Sequence, residues 1–329
     1  MLKKMLTAIL ISITIYFAIA LGLIFSQFSE NLVGTSLDFS RQAAHGSKEP
    51  VQLETYAGMD GTKLGVRHYK SVTAGVPLVV LVHGSGWHGG AYDPLARRIA
   101  DGGLADVVVP DLRGHGPNPQ RRGDIDHIGQ FEDDLAVLIK LNAKPGQKVV
   151  LIGHSSGGGL TIRFAGGEYG SLLSGAVLLA PYLHHNAPTM RPNSGGWSRS
   201  LIRRIIGLSM LNTVGVTALN HLNIIDFMFP KEVLDSPQGA SATRHYSYRL
   251  NTSFAPRSDY LKDVAKLPPF LLVVGRNDEA FKAEEFEATM KPANSDGRYL
   301  LLDDTSHLDV VYSNDTLKAI AGYLDKLKN

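Results

Sequence analysis

The sequence predicts an α/β fold built on an open, mostly parallel sheet with helices on its faces. Short apolar runs rich in Val and Leu recur along the chain, and such runs are typical of strands buried on both faces: PLVVLVHG, ADVVVPD, KVVLIGHS, GAVLLAP and PFLLVVG. Segments with helical spacing of apolar residues lie between the runs, and this alternation is typical of α/β sheets. The chain is 44% hydrophobic and 19% charged, which suits a sizeable core.

The elements follow one another along the chain. VQLETYA and TKLGVRHYK flank Asp60-Gly61, and alternating character around an Asp-Gly turn predicts a β-hairpin. YDPLARRIADGG combines spaced apolar residues with a Gly-Gly stop. IGQFEDDLAVLIKLN places acidic residues early and Lys140 late, which matches the helix dipole. We therefore expect a hairpin at the start of the sheet and helices between the following strands.

The N-terminus carries an uncharged apolar run from Met5 to Phe25, directly after Lys3 and Lys4. A bilayer-spanning helix needs roughly 20 apolar residues, so residues 1–27 are predicted to be a transmembrane anchor or a signal. A signal would have a shorter apolar core and a small-x-small cleavage site, for which 18–20 (Ala-Ile-Ala) is the candidate. An uncleaved anchor is favoured because the apolar run continues past this site. A buried helix of a soluble protein is the third alternative.

The basic residues at the start of the chain predict its orientation. Under the positive-inside rule they stay in the cytoplasm, so a single-pass anchor leaves the remaining chain outside the cytoplasm. Cleavage of the segment would instead give a secreted or periplasmic protein. Residues 28–50 are polar and mixed, and they are predicted to be a linker. Residues 51–329 are predicted to form one domain.

A long segment interrupts the strand–helix rhythm between about residues 182 and 267. It contains SLIRRIIGLSML and LNHLNIIDFMF, both of which have helical, amphipathic character. We expect cap helices over Ser200 to Leu211 and Leu222 to Pro230. A loop of this length is uncommon in a compact domain without a role of its own. The segment is therefore predicted to be a helical insertion, a cap.

Composition excludes several classes of function. Lys+Arg 33 against Asp+Glu 31 gives a formal charge of +2, so nothing predicts binding to nucleic acid. The chain has no Cys, which excludes disulfides, a thiol nucleophile and a Cys-ligated metal. No His-x-x-x-His pattern with a carboxylate is evident, so neither a metal nor an organic cofactor is implied.

The sequence LIGHSSGGGL carries the clearest functional signal. KVVLI reads as a strand, and Gly153-His154-Ser155-Ser156-Gly157 then leads into a helix. This is the G-x-S-x-G pattern, in which a sharp, strained turn exposes the serine at a helix N-terminus. Glycines at 153 and 157 leave space where any side chain would meet the neighbouring backbone. Ser155 is therefore the candidate nucleophile, although a Gly-rich turn that only packs tightly or binds phosphate is the alternative.

A nucleophilic serine needs a base and an acid that orients the base, in the chain order Ser, Asp/Glu, His. Asp278 lies just past the predicted strand PFLLVVG, with Glu279 as the weaker candidate. His307 follows the strand RYLLLDD in a loop before the last helix. His83 and His154 lie near the serine in the sequence, but we expect structural roles for both.

Two backbone N–H groups are needed to bind an oxyanion. One is that of Ser156, the residue after the nucleophile, and the other lies in the loop after the strand VVLV. In that loop Ser85 is the first candidate and Gly86 the second. Such a donor is worth about 2.7–4 kcal/mol of barrier in comparable sites.

The motifs VLVHGSG, PDLRGHG, GHSSGG, VVGRNDEAF and TSHLDV resemble those of the α/β-hydrolases, close to the monoacylglycerol lipase, lysophospholipase and serine aminopeptidase-like group. The resemblance extends from about Val51 to Asn329. It implies an eight-stranded, mostly parallel sheet with a cap after the sixth strand, and a triad of Ser155, Asp278 and His307. Dehalogenases and epoxide hydrolases of this fold use a carboxylate nucleophile, which Ser155 excludes. The apolar N-terminus is a departure from the group.

The resemblance implies a carboxylic ester hydrolase that works through an acyl-enzyme. The expected partner is a small-molecule ester, with the membrane as a second partner through the N-terminal helix. Apolar cap helices favour a lipid or other acyl substrate, unless those faces only pack on the sheet. An amidase or peptidase, a perhydrolase and a non-catalytic binding protein on the same fold are the alternatives.

Overall fold

The structure, a computed structural model, describes residues 1–40 and 51–328. Residues 41–50 of the predicted linker lie outside the described residues. The strands of the described part belong to two sheets. In chain order they are β1 (Glu54–Ala57), β2 (Lys63–Tyr69), β3 (Leu78–Val82), β4 (Asp106–Pro110), β5 (Val149–His154), β6 (Gly175–Leu179), β7 (Ser198–Ser200), β8 (Asn223–Phe227), β9 (His245–Ser247), β10 (Phe270–Gly275) and β11 (Gly297–Leu302).

The helices of the described residues lie mainly between these strands. They are α1 (Leu2–Ile24), α2 (Asp93–Asp101), α3 (Gln130–Asn142), α4 (Ser156–Gly166), α5 (Ile202–Thr213), α6 (Lys231–Leu234), α7 (Tyr248–Phe254), α8 (Tyr260–Val264), α9 (Glu285–Met290) and α10 (Asn314–Lys328). Each predicted helix between two strands of the main sheet is present, which fits the strand–helix rhythm of the sequence.

The main sheet has eight strands in the order β1-β2-β4-β3-β5-β6-β10-β11. β2 runs antiparallel to both of its neighbours, and the other pairs are parallel. Every residue of β3, β5, β6 and β10 is buried, as expected of strands covered on both faces. The predicted α/β fold with an eight-stranded, mostly parallel sheet is confirmed. Its carboxyl edge is where the loops with the candidate site residues meet.

The cap lies between β6 and β10 and combines α5 to α8 with a small antiparallel sheet, β7-β8-β9. α5 confirms the helix expected over Ser200 to Leu211. The helix expected over Leu222 to Pro230 is wrong, because Asn223–Phe227 form the central strand β8. Periodicity does not separate a short apolar run in a strand from one in a helix, and the pair Ile224-Ile225 favours a strand between two partners. The cap is therefore mixed rather than purely helical.

The N-terminal helix packs one side of its second half against cap helix α5. Ala20 and Ile24 are fully buried, and they cluster with Leu208 and Leu211. The hydroxyl group of Tyr16 donates a hydrogen bond to the carbonyl oxygen of Met210 on α5, at 2.7 Å. α1 has 23 residues, and an 18-residue stretch of it has a mean hydropathy of 2.4, so the helix is long and apolar enough to cross a membrane.

The residues that follow α1 contain no helix or strand from 27 to 39, but they lie along the cap. The guanidinium of Arg244 donates to the carbonyl oxygen of Leu32 at 2.7 Å, and the N–H of Gly34 donates to the carbonyl oxygen of Phe229 at 3.3 Å. The described part of the predicted linker is thus packed on the domain.

Candidate active site

Ser155 occupies the sharp corner between β5 and α4. Its φ and ψ are 54° and −121°, a left-handed conformation that costs about 1–3 kcal/mol for a residue with a side chain. A Cβ on Gly153 would lie 2.2 Å from the carbonyl oxygen of Gly157, and one on Gly157 would lie 2.5 Å from those of Val82 and His83. Both glycines are therefore required by the packing of this corner, as the sequence pattern predicts.

The structure brings Ser155, His307 and Asp278 together. His307 lies in the loop after β11, and its Nε2 is 3.0 Å from the Oγ of Ser155. Its Nδ1 is 2.8 Å from Oδ2 of Asp278, which lies in the loop after β10. The other oxygen of this carboxylate accepts hydrogen bonds from the N–H groups of Ala280 at 2.8 Å and Phe281 at 2.7 Å. The carboxylate is therefore held in place on both sides.

The environment of His307 favours its protonated form. The ring is buried, and burial alone would lower its pKa, but the charge and the hydrogen bond of Asp278 outweigh burial. The pKa of His307 is raised above its ordinary value of 6.5 as a result. Such a ring can take up a proton from Ser155 and hold the resulting positive charge against Asp278.

Glu279, the weaker candidate for the acidic residue, does not contact the His307 ring. Its Oε2 accepts a hydrogen bond from the backbone N–H of His307 at 2.8 Å. The two adjacent carboxylates thus bind different parts of the same histidine. Asp278 contacts the imidazole, and Glu279 fixes the loop that carries it.

The loop after β3 presents three consecutive N–H groups beside Ser155. The N–H of Gly84 donates to the hydroxyl of Tyr92 at 3.0 Å, and that of Gly86 donates to the hydroxyl of Tyr246 at 2.5 Å. Among the described residues, the N–H groups of Ser85 and Ser156 meet no acceptor. Of the two candidates in this loop, Ser85 has its N–H available and Gly86 does not. The hydroxyl groups of Ser85 and Ser156 form a short hydrogen bond with each other.

His154 and Tyr92 connect this loop to His307. The Nε2 of His154 lies 2.9 Å from the carbonyl oxygen of His307, which can only accept, so this nitrogen carries the proton. Its Nδ1 then accepts from the hydroxyl of Tyr92 at 2.8 Å, and that hydroxyl also accepts from Gly84. Burial lowers the pKa of His154 well below 6.5, so the ring is neutral. The structural role expected for His154 fits this network, while Tyr92 carries no signal in the sequence.

His83 also contacts backbone rather than Ser155. Its Nδ1 lies 2.9 Å from the carbonyl oxygen of Gly84, and its Nε2 accepts from the N–H of Leu112 at 3.1 Å. Burial lowers the pKa of His83 to about 4. The neutral ring therefore joins the loop after β3 to the loop after β4, in agreement with its expected structural role.

A small cavity of about 40 Å³ lies next to Ser155 and His307. Its walls are mainly apolar and aromatic, and among the described residues no Asp or Glu lines it. The lining side chains beyond the loop and triad residues are Leu37, Phe39, Trp87, Ala91, Tyr92, His154, Trp197, Phe229, Leu308, Val311 and Tyr312. Two of them, Leu37 and Phe39, come from the N-terminal segment, for which the sequence predicts only a linker.

Within residues 1–40 and 51–328, no group of three or more His, Cys, Asp or Glu side chains is arranged to hold a metal ion.

Comparison with known proteins shows the family of this chain. A family model described as serine aminopeptidase, S33, matches residues 76–309, a range that includes Ser155, Asp278 and His307. Human monoglyceride lipase is 30% identical over 155 residues, which are 46% of this chain and 49% of the human protein. The monoacylglycerol lipase of Mycolicibacterium smegmatis is 31% identical over 129 residues, 39% of this chain and 45% of that protein. The alignments therefore span about half the length of these curated relatives.

Solved structures extend the similarity to most of the chain. A soluble variant of monoglyceride lipase from Saccharomyces cerevisiae, in complex with a substrate analogue, matches with a TM-score of 0.65. The match covers 86% of this chain and 97% of that one at 19% identity, a level that supports the fold alone. Since the family model spans more than half of the chain, this protein belongs to the serine aminopeptidase S33 family of α/β-hydrolases.

Proposed function

We propose that the protein is a serine hydrolase that cleaves carboxylic esters. The observation that supports it most directly is the ordered series of contacts from Ser155 Oγ to His307 Nε2 at 3.0 Å, and from His307 Nδ1 to Asp278 at 2.8 Å. The strained backbone of Ser155 places its hydroxyl at the amino end of α4, where the helix dipole favours negative charge. In this proposal Ser155 is the nucleophile, His307 the general base and Asp278 the residue that orients the imidazole.

The reaction proceeds in two halves. Ser155 Oγ attacks the acyl carbon while its proton passes to Nε2 of His307, and the imidazolium is stabilised by Asp278. His307 then gives this proton to the alcohol oxygen as the ester bond breaks, which leaves an acyl-enzyme. Water attacks the acyl carbon in the second half, with its proton again passing to His307. The acid is released and Ser155 regains its proton.

The backbone N–H groups of Ser85 and Ser156 stabilise the oxyanion in both halves. Their neighbours in the loop after β3 already donate to tyrosine hydroxyls, so Ser85 is the donor that this loop can offer. Because both donors belong to the main chain, they need no side-chain reorganisation as charge develops on the substrate oxygen.

The apolar cavity favours an ester over a peptide with a free amino terminus. An aminopeptidase needs a negative group for the substrate ammonium, and no carboxylate of the described residues lines the cavity. Relatives named monoglyceride lipase support an acyl ester of glycerol as the first substrate class to test. An amidase or peptidase is the second candidate, favoured by the description of the family model.

We further propose that α1 anchors the protein in a membrane. At about 1.5 Å per residue its 23 residues are about 34 Å long, close to the hydrocarbon thickness of a bilayer. Because the second half of α1 packs on α5, the cap must then lie against the same membrane. Leu6, Ile9, Leu10 and Ile13 are each about half or more exposed, which suits contact with lipid. Under the positive-inside rule, Lys3 and Lys4 favour an amino end in the cytoplasm and residues 51–329 outside it. The packing of Ala20 and Ile24 against the cap favours a helix that is retained over one that is cleaved.

Labelling with a fluorophosphonate probe tests the hydrolase proposal. We expect the full-length protein in the membrane fraction to be labelled covalently, and Ser155→Ala to abolish labelling. Ser209→Ala is the control, since this serine lies on α5 and its hydroxyl contacts Tyr248 rather than the triad or the oxyanion donors, and it should retain labelling. A folded wild-type protein that neither reacts with the probe nor hydrolyses any ester would instead favour a binding protein on this fold.

A further inference from the structure

The segment after α1 reaches from the anchor to the candidate active site. The N–H of Glu30 donates to Oδ2 of Asp226 on β8 at 3.2 Å, and the side chain of Asn31 contacts His245 on β9 at 3.0 Å. Together with the hydrogen bonds at Leu32 and Gly34, these contacts fix the segment along the edge of the cap. The chain that follows is thereby directed towards the cavity beside Ser155.

Leu37 and Phe39 are the two residues of this segment that enter the site. They are 4% and 9% exposed, whereas Val33, four residues before Leu37, is 54% exposed. The ring of Phe39 lies 6.0 Å from that of Trp87, and 5.7 Å from those of both Trp197 and Phe229, measured between centroids. The apolar wall of the cavity therefore combines the N-terminal segment, the loop after β3 and the cap.

The position of this apolar wall relative to His307 indicates which part of a bound ester it would contact, the alcohol or the acyl chain. The leaving alcohol must lie near Nε2 of His307, which protonates it. Leu308, Val311 and Tyr312, which follow His307 closely in the chain, also line the cavity. Since the acyl group lies across the scissile bond from the alcohol, we infer that the acyl chain extends away from His307, along the loop that carries Ser85. That direction leads to Trp87 and to the aromatic cluster around Phe39.

The space available for an acyl chain is small on this side. A cavity of about 40 Å³ is far below the 300 Å³ or more of typical ligand pockets. The side chains of Leu37, Phe39 and Trp87 also line a second, larger cavity of about 660 Å³, together with apolar cap residues such as Pro230 and Val233. Three acidic residues, Asp38, Glu232 and Glu279, line the same cavity. The side chains of Leu37, Phe39 and Trp87 therefore lie between the small cavity at Ser155 and a larger, mainly apolar space.

We propose that Leu37 and Phe39 are specificity-determining residues that close the acyl end of the site and limit the length of the acyl chain. The proposal rests on the proposed ester hydrolysis. With these side chains in place, the site accepts a short acyl group. Removing the Phe39 ring joins the two cavities, and the larger one can then accommodate the methylenes of a longer chain. Selectivity is thus set by a segment continuous with the N-terminal helix.

A purely structural role for Phe39 predicts a different result. Loss of packing alone would lower the turnover of all esters together, because it would loosen the loop after β3 without a preference for chain length. The ratio of kcat/KM between long and short acyl esters separates the two roles, since it is independent of the fraction of folded protein.

The experiment measures kcat/KM of the full-length protein with p-nitrophenyl acetate, butyrate, octanoate and dodecanoate. In Phe39→Ala we expect the dodecanoate-to-butyrate ratio to rise at least about tenfold, the effect of one or two methylenes admitted to an apolar pocket. Phe39→Leu, which disturbs the packing less, should raise the ratio in the same direction. Val33→Ala, on the exposed face of the same segment, should leave the ratio unchanged.

Two outcomes would overturn the proposal in distinguishable ways. If the wild type hydrolyses the esters and both Phe39 variants keep its ratio, Phe39 has no role in selectivity and ester hydrolysis still stands. If the wild type hydrolyses none of the esters although the protein is folded, the proposed function fails, and the inference fails with it.

Discussion

The hydroxyl of Tyr246, on strand β9 of the cap, lies 2.5 Å from the backbone nitrogen of Gly86, from which it accepts a hydrogen bond. The same hydroxyl is 2.6 Å from Nε2 of His115. Burial holds the pKa of His115 well below 6.5, and Nδ1 of its ring donates to the carbonyl oxygen of Arg113, so Nε2 accepts the tyrosine proton. A cap residue thus fixes the loop that carries the N–H of Ser85, the proposed oxyanion donor.

Replacement of this tyrosine should lower kcat more than it weakens substrate binding. Tyr246→Phe leaves the N–H of Gly86 and Nε2 of His115 without a partner, at a cost of about 1–3 kcal/mol. We expect kcat with a short p-nitrophenyl ester to fall about tenfold, with KM nearly unchanged. Tyr248→Phe is the control, because the hydroxyl of Tyr248 contacts Ser209 on α5 and not this loop. Equal effects of the two substitutions would argue against a specific role for Tyr246.

The pH dependence of kcat/KM should reflect His307. Below its pKa the ring is already protonated and cannot take the proton of Ser155, so kcat/KM should fall as pH decreases through a value above 6.5. In Asp278→Asn the charge that raises the pKa of His307 is lost, while burial still lowers this pKa. The decrease of kcat/KM on the acidic side of the pH profile, its acid limb, should therefore move to lower pH. The maximal rate should drop about 10⁴-fold, as for the same change in a comparable triad.

Glu279→Gln distinguishes the role of the Glu279 carboxylate from that of the Asp278 carboxylate. Its amide oxygen can still accept the hydrogen bond from the His307 N–H, so the rate should fall much less than in Asp278→Asn. The charge of Glu279 raises the pKa of His307 less than Asp278 does, so the acid limb should shift less than in Asp278→Asn. An acid limb that stays in place in Asp278→Asn would contradict the assigned role of Asp278.

The strands of the main sheet and the candidate triad were predictable because local patterns carry them. Apolar runs mark the strands of a parallel sheet, and Ser155, Asp278 and His307 each follow one of these runs. The parallel arrangement then brings the ends of the strands to one edge. Chain order sufficed to choose His307 among 12 histidines.

The walls of the site were not predictable in the same way. Phe39 lies in a polar stretch without periodicity, and its burial depends on contacts with Trp87, Trp197 and Phe229, which are distant in sequence. The strand at Asn223–Phe227 was mistaken for a helix because its partners β7 and β9, which decide the conformation, lie far along the chain. Tertiary pairing overrides local pattern in such short runs.

The corner at Ser155 should not tolerate a side chain at Gly157. The atoms that a Cβ would meet, at 2.5 Å, belong to the backbone of β3 and the loop after it, so they cannot move aside without shifting the sheet. Gly157→Ala should lower the free energy of unfolding by about 1–3 kcal/mol and strongly reduce fluorophosphonate labelling.

Gly322→Ala is the matched control for this change. Gly322 is exposed in α10, and a Cβ there meets nothing within 4 Å. Because alanine favours a helix interior over glycine, this variant should gain about 0.5–1 kcal/mol and keep full labelling. Thermal unfolding followed by circular dichroism measures both effects. Comparable stability of the two variants would mean that the corner is less tightly packed than the structure shows.

The contact between α1 and the cap depends on Gly207 of helix α5. A Cβ at this position would lie 2.5 Å from the carbonyl oxygen of Ala20 and 2.7 Å from Cγ1 of Ile24. Gly207→Leu should therefore separate the two helices and lower the free energy of unfolding by about 1–3 kcal/mol. Gly22→Leu makes the same change on the other face of α1, where a Cβ meets nothing within 4 Å, and should be tolerated.

Separation of α1 from α5 should also alter the candidate active site. Arg204 on α5 donates to the carbonyl oxygen of Ile24, the last residue of α1, at 2.9 Å. The segment that carries Leu37 and Phe39 continues from this end of α1, so displacement of α1 pulls on it. If that segment closes the acyl end, Gly207→Leu should raise the dodecanoate-to-butyrate ratio of kcat/KM, in the same direction as Phe39→Ala. Gly22→Leu should keep the wild-type ratio. A destabilised Gly207→Leu protein with an unchanged ratio would show that the segment holds its position without the anchor helix, through its hydrogen bonds to the cap alone.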